Sequence, residues 1–150
     1  MSEFIVVLGW LGMYGSMALG AIGSIIGCAL AGQAAIGAML ETEGGYGRYI
    51  GISVMPSSQV IYGIVIMFTL QREVTPFNGG ALFAIGIMAG LVLMYSAILQ
   101  GKTCASAINA AKAKPEIFGL SIAPAAIVEG FAVFAFVFAL VIAGGIPTSV

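Results

Sequence analysis

Four long apolar segments separated by short polar stretches constrain this chain more than any other feature. The segments run from about Phe4 to Leu40, Tyr46 to Leu70, Phe77 to Ala111 and Pro115 to Ala143. A helix needs about 20 apolar residues to cross the hydrocarbon core of a bilayer, and every segment reaches that length. We therefore predict an all-α membrane protein, a single membrane domain whose four transmembrane helices form two tandem hairpins. The hairpins divide the chain into about residues 1–73 and about residues 74–150.

Charged residues are too few to cover a soluble domain of this size. Of 150 residues, five are Lys or Arg, six are Asp or Glu, and none is His. Soluble domains carry about 25% charged residues, whereas this chain carries 7%. A soluble monomeric enzyme is therefore nearly excluded, and so is a disordered chain. The net charge of -1 without a basic tract predicts no nucleic-acid partner.

The basic residues predict how the chain is oriented in a cell membrane. Arg48, Lys102, Lys112 and Lys114 lie near the loops after the first and third segments, and Arg72 lies near the other loop. Because basic residues concentrate on the cytoplasmic side, we expect both hairpin loops in the cytoplasm and both termini outside. The sequence Met-Ser-Glu-Phe-Ile at the N-terminus has no basic residue, which favours a retained first span over a cleaved signal peptide.

Small residues recur every four positions along the first segment, in two rows. The rows are Gly12, Ser16, Gly20, Ser24, Cys28 and Gly32, and then Gly23, Gly27, Ala31 and Ala35. Such rows let helix backbones approach closely, so we expect a helix crowded on two sides, as in the inner wall of a homo-oligomeric ring. General packing between membrane helices is the alternative. Cys28 and Cys104 are expected to be small buried side chains without a disulfide.

One acidic residue, Glu129, lies inside an apolar segment, whereas the other five acids lie at segment ends or in loops. Placing a carboxylate at mid-membrane costs at least about 2.5–3.5 kcal/mol, and such residues mark functional sites by default. A structural, hydrogen-bonded glutamate is the alternative. Counting 1.5 Å per residue from the cytoplasmic ends places Glu129 and Gln59 about 20 Å deep and Gln100 about 16 Å deep. Three polar side chains on three helices thus reach one level.

Further oxygen atoms lie at the same level. Ser58 and Tyr62 share a helical face with Gln59, and Pro56 deprives the Ile52 carbonyl of its usual donor. One carboxylate among amide, hydroxyl and carbonyl oxygens suits a hard cation, and divalent ions usually need more carboxylates. Na+ fits the single charge. A proton would need only the carboxylate, leaving the other oxygens without a role.

The two halves of the chain look like copies of one hairpin. Gly51-Ile-Ser-Val-Met-Pro56 matches Gly119-Leu-Ser-Ile-Ala-Pro124 at an offset of 68 residues. At that offset Glu129 corresponds to Ile61. One hairpin therefore carries an acid and the other does not, which predicts one ion site for each pair of hairpins.

The segments Met55–Gly63, Gln100–Lys102 and Val128–Glu129 resemble the proteolipid ring protein of V-type rotary ATPases, called K in bacterial sodium pumps. The resemblance covers the whole chain and favours the sodium-binding type. It implies that Na+ is held by Glu129, the amides of Gln59 and Gln100, the Ser58 hydroxyl and the Met55 backbone carbonyl. Tyr62 would bond the carboxylate. Met replaces a typical Leu at position 55 and Ser replaces Thr at position 58, and neither change removes a ligand.

The resemblance also implies a mechanism and partners. About ten copies would form a ring in the lipid, with Glu129 on its outer surface. A stator subunit would bring an essential arginine, and a central-stalk subunit would transmit rotation from a cytoplasmic head that hydrolyses ATP. The chain itself would catalyse nothing and bind no nucleotide, since Ser96–Thr103 lacks the first glycine of a P-loop and lies inside an apolar helix. A proton-carrying rotor subunit and a small oligomeric transporter or pore are the alternatives.

Overall fold

The computed structural model describes residues 1–147, and within them every regular element is helical. The helices are α1 (Ser2–Leu40), α2 (Tyr46–Ser53), α3 (Ser58–Leu70), α4 (Gly79–Ala113), α5 (Phe118–Ser121) and α6 (Ala123–Gly144). A 3-10 turn at Met55–Ser57 joins α2 to α3, and a second one at Pro115–Ile117 begins the fourth span, in which only Ile122 separates α5 from α6. All four spans are long and apolar enough to cross a membrane, which confirms the predicted fold class. The predicted second hairpin ends at residue 150, and its last three residues lie outside the described range.

The predicted ends of the spans agree with the helices to within two residues. The third span begins later than predicted because Asn78 organises the loop before it. Asn78 Oδ1 accepts the backbone N–H of Thr75 at 2.9 Å, and Asn78 Nδ2 donates to the carbonyl of Glu73 at 2.9 Å. The chain is thus held in a turn until Gly79, where α4 starts.

Helices α1 and α4 pack most extensively against each other, and glycines set their separation. A Cβ placed on Gly86 would overlap the carbonyl oxygen of Gly12. A Cβ on Gly23 would lie 2.5 Å from the carbonyl oxygen of Met94. Backbone therefore touches backbone along this pair, and only a residue without a side chain fits at these positions.

The other side of α1 packs against α3 in the same way. A Cβ on Gly63 would lie 2.5 Å from the carbonyl oxygen of Ser16, and one on Gly20 would lie 2.9 Å from that of Gln59. The predicted crowding of α1 on two sides is therefore confirmed. Both neighbours belong to the same chain, however, so the rows of small residues are explained without a ring. Cys28 and Cys104 are free thiols, half-buried and buried respectively.

The second and fourth spans break at matching places. α2 ends at Ser53 and α5 at Ser121, 68 residues later. Both serines donate to the carbonyl three residues earlier at 2.8 Å, Ser53 to Ile50 and Ser121 to Phe118. The loosened turn expected at Pro56 is a 3-10 turn. The matching break in the fourth span was not predicted. The repeated sequence thus interrupts both helices at the same position, although the second span resumes through a 3-10 turn and the fourth resumes directly as α6.

Contacts at the helix ends show which loops share a side of the bundle. Lys112 Nζ bonds Glu41 Oε2 at 2.8 Å, so the loops after α1 and α4 lie together. Arg72 Nη1 donates to the carbonyl of Ile146 at 3.0 Å, which joins the other loop to the end of α6. The fourth span is the outermost, with 17% of its apolar stretch buried against 33% to 39% for the others.

Candidate functional site

Glu129 lies on α6 at the boundary between the helix bundle and its surface. Its side chain is half-buried, whereas the neighbouring side chains of Ile127 and Phe131 are each 65% exposed. Ile61, the counterpart of Glu129 in the first hairpin, is 56% exposed. The carboxylate therefore occupies a position that is otherwise apolar and faces outward from the protomer.

Both oxygens of the Glu129 carboxylate accept hydrogen bonds, each from a different helix. Tyr62 Oη on α3 donates to Oε1 at 3.1 Å. Gln100 Nε2 on α4 donates to Oε2 at 3.1 Å and also to the carbonyl of Ala125 at 3.3 Å. The Tyr62 ring stacks on Phe136 of α6, with centroids 5.2 Å apart. The tyrosine is thereby held in the orientation that its hydroxyl needs.

The amide of Gln59 extends this network into the protein. Gln59 and Gln100 are both fully buried, and Gln59 Nε2 donates to Gln100 Oε1 at 2.8 Å. Ser58 Oγ lies 3.2 Å from Gln59 Oε1 and 3.2 Å from the Met55 carbonyl oxygen. A continuous series of polar contacts thus runs from Met55 to Glu129, with the single Ser58 proton shared between the Met55 carbonyl and the Gln59 amide oxygen, and every site residue predicted from the sequence belongs to it.

The backbone carbonyl in this chain differs from the one that Pro56 was expected to free. The Ile52 carbonyl accepts the backbone N–H of Val54 instead. Because the helix breaks at Val54 and re-forms through a 3-10 turn, the carbonyl next to the Ser58 hydroxyl is that of Met55. The missing N–H of Pro56 therefore indicated correctly where the helix is interrupted. The carbonyl beside Ser58, however, is that of Met55 and not that of Ile52.

The oxygen atoms that could bind a cation at this site come from one carboxylate, two amides, one hydroxyl and one backbone carbonyl. Within residues 1–147, no three His, Cys, Asp or Glu side chains come together. Each carbonyl oxygen carries two lone pairs, so a single hydrogen bond leaves one for a ligand. One negative charge among neutral oxygens can neutralise a monovalent cation, and it lacks the additional carboxylates that divalent ions usually need.

Two further serines bond to groups of the site, and neither is among the residues predicted from the sequence. Ser96 Oγ donates to the carbonyl of Val128 at 3.0 Å and accepts from Gln59 Nε2 at 3.4 Å. Ser24 Oγ accepts the backbone N–H of Val60 at 3.2 Å. Ser96 precedes Gln100 by four residues, so its place on the same helical face was the available signal. Ser24 was counted only as a small residue in a packing row.

Two other parts of the sequence have no role of this kind in the structure. Gln33 is exposed on α1 and lies outside the network. Ser96–Thr103, which approach a P-loop in sequence, are part of the uninterrupted helix α4. A P-loop requires a loop between a strand and a helix, so this segment has the wrong backbone for a phosphate cradle.

Known proteins resemble this chain along most of its length. The profile of the family described as the C subunit of ATP synthase matches the chain twice, over residues 11–70 and 83–142. The chain is 34% identical over 137 residues to the A-type ATP synthase subunit K of Methanocaldococcus jannaschii. The aligned region covers 89% of this chain. It spans 62% of the length of that relative. It is also 29% identical over 120 residues to the V-type sodium ATPase subunit K of Enterococcus hirae, covering 77% of each chain.

The two family matches fall one on each hairpin, in agreement with the repeated helix break and the repeated serine hydrogen bond. Together they cover more than half of the chain. The chain therefore belongs to the family of ATP synthase C subunits, the non-catalytic membrane proteolipids of rotary ATPases.

Proposed function

We propose that this chain is an ion-carrying subunit of the rotor ring of a V- or A-type ATPase, and that its cargo is Na+. The observation that carries the proposal is a single carboxylate on the outermost span, that of Glu129. Tyr62 and Gln100, on two other spans, hold it by hydrogen bonds. A carboxylate in this position must be neutralised before it can face lipid, because an uncompensated charge there is costly. Ion loading supplies that neutralisation.

The oxygens around Glu129 support Na+ as the cargo. The Met55 carbonyl, the Ser58 hydroxyl and the Gln59 amide oxygen lie together, and the Gln100 amide joins them to the carboxylate. Hard monovalent cations prefer such all-oxygen sites. One relative, 29% identical over 120 residues, bears the name V-type sodium ATPase subunit K.

A rotary mechanism is part of the proposal, and the partial exposure of Glu129 supports it. Members of the family assemble into rings within ATPases, and we propose about ten copies here, each with Glu129 on the outer surface. A stator subunit would bring an arginine that displaces the ion, and a central-stalk subunit would couple rotation to ATP hydrolysis elsewhere. Moving each charge against 100 mV requires about 2.3 kcal/mol, which the ATPase head would supply.

The proposal also includes the orientation of the chain in the membrane. The end of the bundle that carries Lys112, Lys114 and Arg48 would face the cytoplasm, by the positive-inside rule. The contact between Lys112 and Glu41 places both hairpin loops at that end. Both termini would then lie outside, and the two hairpins, about residues 1–73 and 74–150, would act as one membrane domain.

Carbodiimide labelling of Glu129 at fixed pH tests the cargo. We expect Na+ to protect the carboxyl in a saturable manner and K+ at the same concentration to leave labelling unchanged. Glu129→Gln rings, which lack the reactive carboxyl, measure the labelling that occurs elsewhere. Labelling of the wild-type protein that does not respond to Na+ would rule out the sodium site.

A proton-carrying rotor subunit is the second candidate, and one observation favours it. Gln59 Oε1 already accepts from Ser58 and Gln100 Oε1 already accepts from Gln59. The amides could therefore serve as a scaffold around a carboxyl that exchanges only a proton. The same labelling experiment separates the two candidates, because protection by Na+ is expected only for the sodium site.

A further inference from the structure

Ser96 connects three helices at the centre of the site. It belongs to α4 and is 6% exposed. Its hydroxyl donates at 3.0 Å to the carbonyl of Val128 on α6 and accepts at 3.4 Å from Gln59 Nε2 on α3. Val128 immediately precedes Glu129. One hydroxyl therefore contacts both an amide of the site and the backbone that carries the carboxylate.

The direction of these hydrogen bonds defines the orientation of the Gln59 amide. A serine hydroxyl has one proton, and the Val128 carbonyl takes it, so the hydroxyl can only accept from Gln59. The amide group of Gln59 has two N–H donors, which point to Ser96 Oγ and Gln100 Oε1. Its oxygen is thereby turned toward Ser58, on the side where the Met55 carbonyl also lies.

The hydrogen bond from Ser96 to the Val128 carbonyl holds the backbone of α6 next to Glu129. Glu129 is held from the bundle by its side chain alone, through Tyr62 and Gln100. If the carboxylate releases its ion, those side-chain bonds are the ones that change. Gln100 also bonds the α6 backbone, at Ala125, but with the same amide that bonds the carboxylate. The bond from Ser96 is to backbone and shares no atom with the carboxylate, so it can persist and keep α6 at a fixed distance from α4.

We propose that Ser96 is a positioning residue that sets the affinity of the site for its ion, by fixing the orientation of the Gln59 amide and the backbone next to Glu129. This inference rests on the proposed function of the site. The hydroxyl bonds Gln59 and the Val128 carbonyl and does not bond the carboxylate. Its effect is transmitted through Gln59 and α6.

Ser16 offers a matched control for the test. It is also a buried serine that joins two spans, since Ser16 Oγ donates to the carbonyl of Gly63 at 3.2 Å. It has no hydrogen bond to Gln59 or to α6. Ser16→Ala therefore removes a similar interhelical hydrogen bond while leaving the amide network intact.

The experiment compares wild-type, Ser96→Ala, Ser96→Thr and Ser16→Ala rings in carbodiimide labelling across a range of Na+ concentrations. Ser96→Ala removes both hydrogen bonds of the hydroxyl, and we expect it to raise the Na+ concentration for half-maximal protection about fivefold to tenfold. Ser96→Thr, which keeps the hydroxyl, should restore most of the protection, and Ser16→Ala should behave as wild type. Equal shifts in Ser96→Ala and Ser16→Ala, or no shift in Ser96→Ala, would overturn the inference.

A second readout does not depend on which ion is carried. The chain has four glutamines, so the side-chain amide resonance of Gln59 can be assigned by substitution in solid-state NMR of nitrogen-15-labelled rings. Ser96→Ala should shift this resonance and Ser16→Ala should not. If Na+ fails to protect the wild-type protein, the sodium proposal fails by itself, and an unchanged Gln59 resonance in Ser96→Ala then refutes the role of Ser96.

Discussion

Tyr62 and Glu129 are 67 residues apart in the sequence and are joined by a hydrogen bond of 3.1 Å that connects the two hairpins. The first hairpin contributes Tyr62, Gln59 and Ser58 to the site, and the second contributes Gln100 and Glu129. Neither hairpin contains the site alone. The hairpin that has isoleucine in place of the acid therefore still has a role, because it supplies neutral oxygens and the tyrosine hydroxyl.

Replacing Tyr62 with phenylalanine isolates the contribution of that hydroxyl. The ring and its stacking on Phe136 would remain, and only the bond to Glu129 would be lost. A hydrogen bond to a charged group contributes about 1.5–3 kcal/mol, so we expect Na+ to protect Glu129 at least about tenfold less effectively. Tyr95→Phe, at a tyrosine 61% exposed on α4, is the control and should leave protection unchanged. Wild-type protection in Tyr62→Phe would show that the bond is dispensable.

Two adjacent serines allow an equally direct test of the neutral ligands. Ser58 Oγ contacts the Gln59 amide oxygen, whereas Ser57 is exposed and its hydroxyl bonds only the Val54 carbonyl. We expect Ser58→Ala to weaken Na+ binding by about 1 kcal/mol, or roughly fivefold, measured as the half-protecting concentration in carbodiimide labelling. Ser57→Ala should have no effect. A larger effect of Ser57→Ala would place the ion on the other side of the turn.

Much of this architecture could be predicted from the sequence, because the bilayer restricts what a long apolar segment can do. The four spans follow from hydrophobic length, and the level shared by Gln59, Gln100 and Glu129 follows from the rise of a helix. The direct repeat also predicted that only one hairpin carries the acid. These conclusions depend on spacing along the chain, which the sequence contains.

What spacing could not predict is which neighbour a side chain meets. Ser24 occupies a row of small residues, and only the approach of α3 shows that its hydroxyl accepts the Val60 N–H. Pro56 indicated a weakened helix, but the position of the break at Val54 decides that Met55 rather than Ile52 supplies the carbonyl. Likewise, the glycines of α1 indicated close packing without showing that the partners belong to the same chain.

Glu129→Gln removes the only charge of the site while keeping a similar shape. We expect this variant to abolish ATP-driven Na+ uptake into inverted membrane vesicles, since a neutral amide cannot balance the ion. Rings should still assemble, because a neutral amide side chain is more easily accommodated in lipid than a carboxylate. Glu116→Gln, at an exposed acid before α5, should retain uptake. Uptake by the Glu129 variant at the wild-type rate would contradict the assigned role.

The close packing of α1 leads to a separate prediction about stability, which substitutions at Gly27 and Gly32 can test together. A Cβ on Gly27 would overlap the Ala97 carbonyl oxygen and lie 2.7 Å from the Cβ of Pro56, whereas one on Gly32 would meet nothing within 4 Å. Overpacking of a close contact costs about 1–3 kcal/mol. We therefore expect Gly27→Ala to lower the thermal denaturation midpoint of the protein in detergent.

The position of Gly27 makes the prediction more specific. Its backbone also lies close to Gly101 on α4, the residue after Gln100, and an added methyl group would press on both α4 and the turn at Pro56 that precedes Gln59. Gly27→Ala should therefore weaken Na+ protection of Glu129 as well as stability, and Gly32→Ala should lower neither, since alanine is favoured over glycine in an open helix position. If Gly27→Ala lowered stability but left Na+ protection unchanged, the separation of α3 and α4 would not control the amide contact between Gln59 and Gln100.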